Sequence, residues 1–473
     1  MFSAFKRRLY LRASILPLAI AGPALAQDAT SVDATQGAAR SQDAAATPVV
    51  TLPPVVAVQP PTVASPVKKR KTSTSAATTQ SVPTTPSPPA PTAEAIASGA
   101  EVPPFQPALV LGAPGTLIVV DDAFVPVTVA TERDVLGEGG ANISDAVDQR
   151  PGISSSNFAP GASRPIIRGL DTYRVRVQEN GIGSHDVSAL SEDHAVPIDP
   201  FGADQVEVIR GPATLRYGSQ AIGGVVAVEN GRVPTYVPKN GFEGTIKGDL
   251  SSVDDGRNGA FKAKAGANGV VVHADGFQRR AEDYDTPDGT QFNSFVEAEG
   301  GAIGGSFVGR DGYIGVAISR YQSLYGIPGE EAAELMPRID LEQDRIQARG
   351  EWRVGSYGVE AMRFWFGASD YEHSEIVDEG EGDEVGSLFT NDEIEGRFEV
   401  QHLPFMTSLG QFRGAAGIQI IDRETRGQSF EGDSLLEPAE TQSIAAFLFE
   451  ELDISSVLTL QAAARIEHTD IDG

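Results

Sequence analysis

Cysteine is absent from the 473 residues of this chain, so disulfide bridges, thiolate metal ligands and cysteine nucleophiles are excluded. Basic residues are scarce: 37 Lys and Arg stand against 65 Asp and Glu, which leaves a formal net charge of −28. Nucleic-acid binding requires a basic footprint that such a chain lacks. Long hydrophobic runs are also missing, and a spanning helix needs about 20 apolar residues. These absences exclude a nucleic-acid-binding protein and a polytopic helical membrane protein.

The first 26 residues have the three parts of a secretory signal peptide. A basic segment at residues 6–12 precedes the short apolar run Ala13–Ala21, and Ala24-Leu25-Ala26 is a small-x-small cleavage site. Residues 27–115 then consist mainly of Ala, Thr, Ser, Pro and Val, a composition that favours extended, unpacked chain. The sequence therefore predicts an exported protein that begins with a disordered periplasmic tether.

An ordered domain is predicted over residues 116–240, where short β-prone runs replace the low-complexity segment. Asn142 is placed to cap a helix from Ile143 to Gln149, and Asn180-Gly181 is a tight-turn dipeptide. Strands combined with one short helix indicate a compact α+β domain.

After residue 241 the chain alternates apolar and polar residues with a period of two. In one such run Ile346, Ala348 and Gly350 alternate with charged or amide side chains, and about eleven similar strands can be counted. Short turns alternate with long polar loops. This pattern is typical of an antiparallel transmembrane β-barrel with an apolar outer and a polar inner face. A soluble β-sandwich, whose strands are usually shorter, is the alternative.

Residues 206–226, VEVIRGPATLRYGSQAIGGVV, closely resemble the plug-domain signature of TonB-dependent outer-membrane receptors. Residues 163–181 resemble the same domain, and residues 186–200, 324–328, 339–345 and 371–373 resemble its zinc-receptor (ZnuD-like) branch. The resemblance runs from about residue 116 to the end of the chain. The signature residues are Arg168, Gly169, Glu207, Arg210, Gly211, Pro212, Tyr217, Gly218, Gly223 and Gly224.

The resemblance implies an α+β plug domain (116–240) followed by a transmembrane β-barrel (241 onward) of 22 strands when complete. Within the plug, Glu207 and Arg210 are candidates for plug–barrel ion pairs, with ordinary exposed strand charges as the alternative. Gly211, Gly218, Gly223 and Gly224 are expected to permit tight turns and close packing of the plug against the barrel wall. About eleven strands are half of such a barrel, so we expect a C-terminally truncated chain or half of a split receptor. A fragment that transports nothing is the alternative.

The resemblance also implies partners. A TonB box would add as a strand to TonB of the TonB–ExbB–ExbD complex, and the candidate is Thr116, Leu117, Ile118, Val119 and Val120. The first strand of the plug is the alternative for this segment. The expected protein is a monomer in outer-membrane lipid, with no nucleic-acid partner and no prosthetic group.

Without cysteine, a transported metal must be held by imidazole and carboxylate groups. The Asp-His pair of the plug loop binds metal in the zinc-receptor branch, so the resemblance makes Asp193 and His194 the first candidates, with His185 and Asp186 weaker ones. The partner groups expected from the barrel loops are Glu330, Glu331, Glu334, His373 and Glu375.

Zinc is the expected cargo, although residues 329–337 contain no histidine where receptors of the zinc branch often have several. A siderophore, haem or another metal chelate is the alternative. The chain has no Gly-x-Ser-x-Gly elbow and no His-Glu-x-x-His helix, so an enzyme is not expected.

Overall fold

The structure, a computed structural model, describes residues 128–473 with the exception of 139, 331, 379, 381, 431–434 and 456. The predicted signal peptide, the tether and the candidate TonB box at residues 116–120 lie outside this part, as does Glu331. All described residues belong to one compact unit.

The plug domain, described from residue 128, is built on a five-stranded sheet. Its strands are β1 (Thr128–Thr131), β4 (Val175–Glu179), β5 (Ile182–Gly183), β6 (Gln205–Ile209) and β7 (Gly224–Glu229), in the order β1-β6-β7-β4-β5. β4 and β7 are parallel, and the other pairs are antiparallel. A separate pair joins β2 (Ile153–Ser155) to β3 (Pro165–Ile167). Buried Val206, Val208, Val226 and Val228 form much of the core, as their alternation predicts.

The predicted helix from Ile143 to Gln149 is wrong, because this segment forms successive turns. Its backbone bonds span three residues, as from Asp145 N to Asn142 O at 3.2 Å, and the Asn142 amide donates to Pro160 O instead of capping a helix. Ser and Asp side chains compete with helical hydrogen bonds in such short segments. The helix of this region is α1 (Glu132–Glu138), whose N-terminus is fixed by reciprocal bonds between Thr131 and Asp134.

A long antiparallel sheet follows, here called the wall sheet. Eleven strands form its path in chain order, and β18 pairs beside β19. The strands are β8 (Phe242–Leu250), β9 (Arg257–Ala267), β10 (Val270–Ala281), β13 (Val296–Val308), β14 (Gly312–Gly326), β15 (Arg338–Ser356), β16 (Val359–Asp378), β17 (Asp383–His402), β18 (Phe405–Met406), β19 (Gln411–Ser429), β20 (Leu436–Ser455) and β21 (Leu458–Asp472). A two-stranded ribbon, β11 (Asp285–Thr286) and β12 (Gly289–Thr290), and a one-turn helix, α2 (Ala332–Leu335), lie in connections.

The two ends of the wall sheet differ in the length of their connections. Strands are joined by tight turns at one edge, such as 268–269 and 357–358, and by longer segments at the other, such as 282–295. We call these the turn edge and the loop edge. The predicted alternation of short turns and long loops is therefore present.

The predicted alternation of faces is also present. Ile303, Ile314, Ile418 and Ile466 are more than half exposed on the outer face. The inner face buries polar side chains, among them Arg345, Gln347, Asn391, Glu395 and Glu399. An apolar exterior around a polar interior is the reverse of a soluble sandwich. In the described part of the chain, no helix has the length and apolarity that a membrane crossing requires.

Charged and apolar contacts join the plug domain to the inner face of the wall sheet. Four plug–wall ion pairs are Arg176–Glu395 at 2.6 Å, Arg349–Glu229 at 2.7 Å, Arg232–Asp275 at 3.2 Å and Arg216–Glu399. Tyr217 of the plug signature is buried beneath the guanidinium of Arg397, 4.9 Å from the ring centroid.

The expected plug–barrel ion pairs of Glu207 and Arg210 are wrong. Arg210 donates to Thr128 Oγ1 and Pro151 O inside the plug domain, and Glu207 accepts from Gln205. Both side chains are buried within the plug. Arg216, which lies further along the same signature, makes the wall contact instead.

Gly211, with a φ of 80°, adopts the expected turn conformation, but Gly223 and Gly224 do not pack against the wall. A Cβ on Gly224 would meet Ile167 and Ile209, and one on Gly223 would meet Leu170, so both allow close packing within the plug. The glycine that approaches the wall is Gly181, where a Cβ would lie 2.6 Å from Trp365 Cδ1. Asn180 and Gly181 form the predicted tight turn between β4 and β5, with φ of 52° and 88°.

Candidate metal centre

The plug loop that presents His194 is fixed by a tyrosine of the wall. Tyr325, near the loop edge of β14, donates from its hydroxyl to Asp193 O at 2.8 Å and accepts from Ala195 N at 3.0 Å. These two bonds bracket His194, whose ring is buried. Tyr325 therefore fixes the backbone on both sides of the histidine.

Two further groups come from β16 near the loop edge. His373 and Glu375 are two residues apart, so both point to the inner face. Phe389, directly opposite His373 on β17, stacks on its ring at 4.9 Å between centroids and meets His194 edge-on at 5.0 Å. The two imidazole rings are 4.4 Å apart.

His194, His373 and Glu375 form the outer site, in which the three potential ligand atoms lie within 4.8 Å of one another. His194 Nε2 is 3.1 Å and His373 Nε2 is 3.9 Å from Glu375 Oε1. A tetrahedral zinc site with bonds of about 2.0–2.2 Å separates its ligand atoms by roughly 3.3–3.6 Å. The two distances lie on either side of that range, so small side-chain rotations would complete the geometry.

The hydrogen bonds on the far side of each ring favour ligation by Nε2. His194 Nδ1 lies 3.2 Å from Val187 O, an acceptor, so Nδ1 carries the proton. His373 Nδ1 lies 3.0 Å from Tyr371 Oη, and His373 Nε2 is buried without a hydrogen-bond partner among the described residues. A buried polar atom without a partner is uncommon, and here it points into the site. This is the arrangement found in metal-ligating histidines.

The charges at the outer site attract a cation. Burial lowers the pKa of His194, but the hydrogen bond to Glu375 and the charge of Asp193 raise it, and the resulting pKa lies above the ordinary value of 6.5. Asp193 Oδ1 is 3.8 Å from His194 Nε2. In the metal-free protein a proton on Nε2 therefore occupies the position that a cation would take.

The structure brings together three of the predicted metal ligands, His194, His373 and Glu375, with Asp193 at the margin of the site. It places His185 elsewhere, in a second group described below. Asp186 accepts from Ser188 N at 2.8 Å, and its Oδ2 is buried without a partner among the described residues. Glu330 and Glu334 are exposed on the connection between β14 and β15, and neither belongs to a metal-ligand group of the described residues.

The second group, here called the inner cluster, consists of His185, Glu393 and Glu395, all buried and again within 4.8 Å. Glu395 is fully buried and also accepts from Arg176 Nη2, Gly183 N and Gln419 Nε2. Glu393 and Glu395 are not among the residues predicted from the sequence, although their spacing of two residues in an alternating segment was a usable signal. Tyr325, Tyr371 and Phe389 position the outer site, and no spacing in the sequence links them to His194.

Comparisons with known proteins agree with this architecture. The TonB-dependent receptor plug domain profile matches residues 119–225. The vitamin B12 transporter BtuB of Photobacterium profundum is 27% identical over 219 residues, which are 44% of this chain and 35% of that protein. The profile match begins at residue 119, within the candidate TonB box, which stays a prediction.

Several solved structures share the fold at low sequence identity. The copper transporter OprC has a TM-score of 0.59 at 15% identity, over 73% of this chain and 55% of that one. The ferric citrate transporter FecA scores 0.56 at 17% identity, over 72% and 56%. The ferric-catecholate import receptor Fiu from E. coli K12 scores 0.57 at 17%, over 76% and 62%. This chain thus spans just over half the length of these structures, and each is named a transporter or receptor.

The plug profile, the strand order and the shared fold lead to one conclusion. Residues 119–225 match the TonB-dependent receptor plug domain, and the antiparallel sheet that follows them shares its fold with solved structures such as the ferric citrate transporter FecA.

Proposed function

We propose that this protein acts in the outer membrane as a TonB-dependent receptor for a metal cation, with zinc as the cargo. The observation that carries the proposal is the outer site, where two buried histidines and a carboxylate converge. Imidazole with carboxylate suits a borderline cation such as zinc, whereas carboxylates alone suit magnesium or calcium. The exposed apolar face of the wall sheet supports contact with membrane lipid.

The division of the outer site between two parts of the fold suggests how the cargo is released. His194 belongs to the plug domain, and His373 and Glu375 belong to the wall. Movement of the plug would separate these ligands and reduce the affinity for the ion. Coupling to TonB, through a strand added near residues 116–120, would supply that movement. No covalent chemistry is needed.

An iron-chelate or other chelate cargo is a second candidate, favoured by a specific cavity. A space of about 600 Å³ lies at the loop edge between the plug and β8–β10, lined among others by Asn142, Phe158, Arg279 and Tyr284. It is large enough for a small organic chelate and mixes polar with apolar side chains. It does not include the outer site.

Uptake and binding by single variants test the proposal. Radiolabelled zinc uptake should fall about tenfold or more in His194→Ala and His373→Ala cells, with a matching loss of zinc affinity in the purified protein. Glu334→Gln, an exposed loop carboxylate, serves as control and should retain both. Copper and a ferric chelate are assayed in parallel. Uptake that depends on Arg279 and Tyr284 but is indifferent to both histidines would support the chelate instead.

A further inference from the structure

We propose that the inner cluster is a second cation site, which binds the same metal ion deeper along the wall than the outer site. The inference rests on the proposed function, because it names a second binding position for the same cargo. It concerns His185 of the plug together with Glu393 and Glu395 of β17.

The geometry of the inner cluster fits a small cation. His185 Nε2 lies 3.3 Å from Glu395 Oε2 and 3.5 Å from Glu393 Oε1. These separations match the roughly 3.3–3.6 Å between ligands of a tetrahedral zinc ion. His185 Nδ1 is 3.0 Å from Ser369 Oγ, so a proton on Nδ1 would leave the Nε2 lone pair facing two carboxylates. Such a gap between electron-rich atoms must hold either a proton or a cation.

The charge balance of the cluster also favours a cation. Arg176 neutralises Glu395 through two hydrogen bonds of 2.6 and 2.8 Å. Glu393 is 9% exposed and, within the described ranges, forms no ion pair with an Arg or Lys; its contacts are His185 and the Asn391 amide at 3.4 Å. Arg345 acts on Glu393 only through its charge, and Arg423 is its neighbour on β19, so Glu393 has basic groups nearby but no direct ion pair with them, which a divalent ion would supply.

The imidazole is held toward the wall by an unusual backbone conformation. His185 has a φ of 55°, a left-handed conformation that costs energy for a residue with a side chain. Its carbonyl accepts from Gln343 Nε2 at 3.1 Å and from Asn391 Nδ2 at 3.2 Å, both from the wall. The wall thus fixes the residue in a conformation that keeps the ring against Glu393 and Glu395.

The cluster lies along the same two wall strands as the outer site. Ser369, opposite Glu393, is four residues from His373 along β16, which corresponds to about 14 Å toward the turn edge. The cross-strand pair on the inner face between the two sites is Tyr371 and Asn391, which are polar and uncharged at neutral pH. A cavity of about 370 Å³ includes His185, Asp186 and Glu393 in its lining.

Beyond the inner cluster the inner face becomes basic. Toward the turn edge, Arg216 and Arg363 both contact Glu399. Arg397 lies between Glu395 and Glu399 along β17. Repulsion by three guanidinium groups would stop a cation here while the plug is in place. Among the described residues, the inner cluster is therefore the last position along this path where an imidazole faces two carboxylates.

Zinc content and uptake of the full-length protein test the inner site. After dialysis against buffered zinc, the unmodified protein should hold two equivalents and Glu393→Gln one, since a neutral amide is a poor zinc ligand. His373→Ala should lose the other equivalent. Glu372→Gln removes the same charge from the opposite face of the neighbouring strand β16 and should retain two. Glu393→Gln was chosen because Glu395→Gln would also break the Arg176 ion pair and disturb the plug.

Each outcome bears on one proposal. If Glu393→Gln retains two equivalents and normal zinc uptake, the inner site is wrong, while the proposed function stands as long as His373→Ala loses both uptake and one equivalent. If neither His373→Ala nor His194→Ala changes zinc content or uptake, the proposed function itself fails. Cobalt used as a spectroscopic probe should give two distinguishable visible absorption bands, of which Glu393→Gln removes only one.

Discussion

At the scale of single residues, function depends on which groups surround a side chain rather than on its type. His194 and His185 are nine residues apart in the same plug segment, yet they belong to two different clusters. Glu207 and Glu399 are both buried glutamates, but Glu207 faces Glu229 whereas Glu399 pairs with Arg216 and Arg363. Two predictions at this scale follow from the charges around His194 and around Glu207.

Zinc binding should strengthen as the pH rises. The raised pKa of His194 means that a proton occupies Nε2 at and somewhat above pH 6.5, and zinc must displace it. The affinity should therefore grow by up to about tenfold per pH unit until the pH exceeds that pKa. The measurement is the zinc-induced rise in melting temperature between pH 6 and 8.5.

His194→Ala should remove the part of this zinc effect that comes from the outer site, together with the pH dependence that His194 gives it. The exposed His468, 76% accessible at its side chain, supplies the control variant His468→Ala, which should behave like the unmodified protein. A zinc-induced shift that is constant over this pH range would contradict ligation by His194.

Glu207 should make the metal-free protein less stable in alkaline solution. Burial and the charge of Glu229 raise the pKa of Glu207 from 4.5 to about 8, so the folded protein keeps this carboxyl protonated at neutral pH. The contribution is fully present below pH 4.5, declines as the pH rises and levels off above about 8. Glu207→Gln mimics the protonated form and should flatten the pH dependence of melting between pH 5 and 9, with a gain on the order of a few kcal/mol at the alkaline end. An unchanged slope would refute the raised pKa.

At the scale of elements, two residues of the β4–β5 turn determine how closely the plug approaches the wall. Asn180 donates to Asn230 at 2.8 Å and to Gln347 of β15 at 2.9 Å. Gly181 leaves space for the indole of Trp365 on β16. The sequence predicts only a tight turn for Asn180 and Gly181. In the structure the same two residues also contact the wall.

Gly181→Ala should destabilise the protein more than Gly169→Ala. Both glycines have a positive φ, 88° and 77°, so both variants incur a similar backbone strain of roughly 1–3 kcal/mol. A Cβ at 169 meets nothing within 4 Å, whereas one at 181 meets Trp365. We expect an additional loss of roughly 1–3 kcal/mol for Gly181→Ala, measured by thermal unfolding. Equal losses would mean that the turn does not touch the wall.

At the scale of the whole molecule, buried ion pairs join the plug to the wall in addition to apolar contacts. The wall sheet places Glu395 and Glu399 on its inner face, and the plug supplies Arg176 and Arg216 to meet them. Buried pairs are weak evidence of net stability, but removing one partner leaves an uncompensated charge. This arrangement favours a single seated position of the plug.

Breaking the Arg216–Glu399 pair should loosen the plug. Glu399→Gln leaves Arg216 and Arg363 buried without their shared carboxylate and should cost roughly 3–5 kcal/mol, seen as a lower melting temperature and faster trypsin cleavage within residues 128–240. Arg216→Met combined with Glu399→Gln should recover part of the loss. The exposed pair Arg320–Asp344 is the control, and Asp344→Asn should cost less than about 1 kcal/mol. Similar losses in both single variants would mean that the buried Arg216–Glu399 pair does not help to hold the plug.

The sequence by itself determined the fold class of this protein, because the alternation of side chains along a strand and the plug signature are local patterns. It also indicated the residue types of the outer site, since imidazole and carboxylate are the strong metal ligands left in a chain without cysteine. Only the tertiary structure decided which of these residues meet. His194 and Glu375 are far apart in the chain, as are His185 and Glu395, and strand register together with the seating of the plug brings each pair within hydrogen-bonding distance. The tertiary structure also buried Glu207 and Arg210 inside the plug, whereas Arg216 contacts the wall. Burial of a side chain depends on the packing of the whole domain and not on its neighbours in sequence.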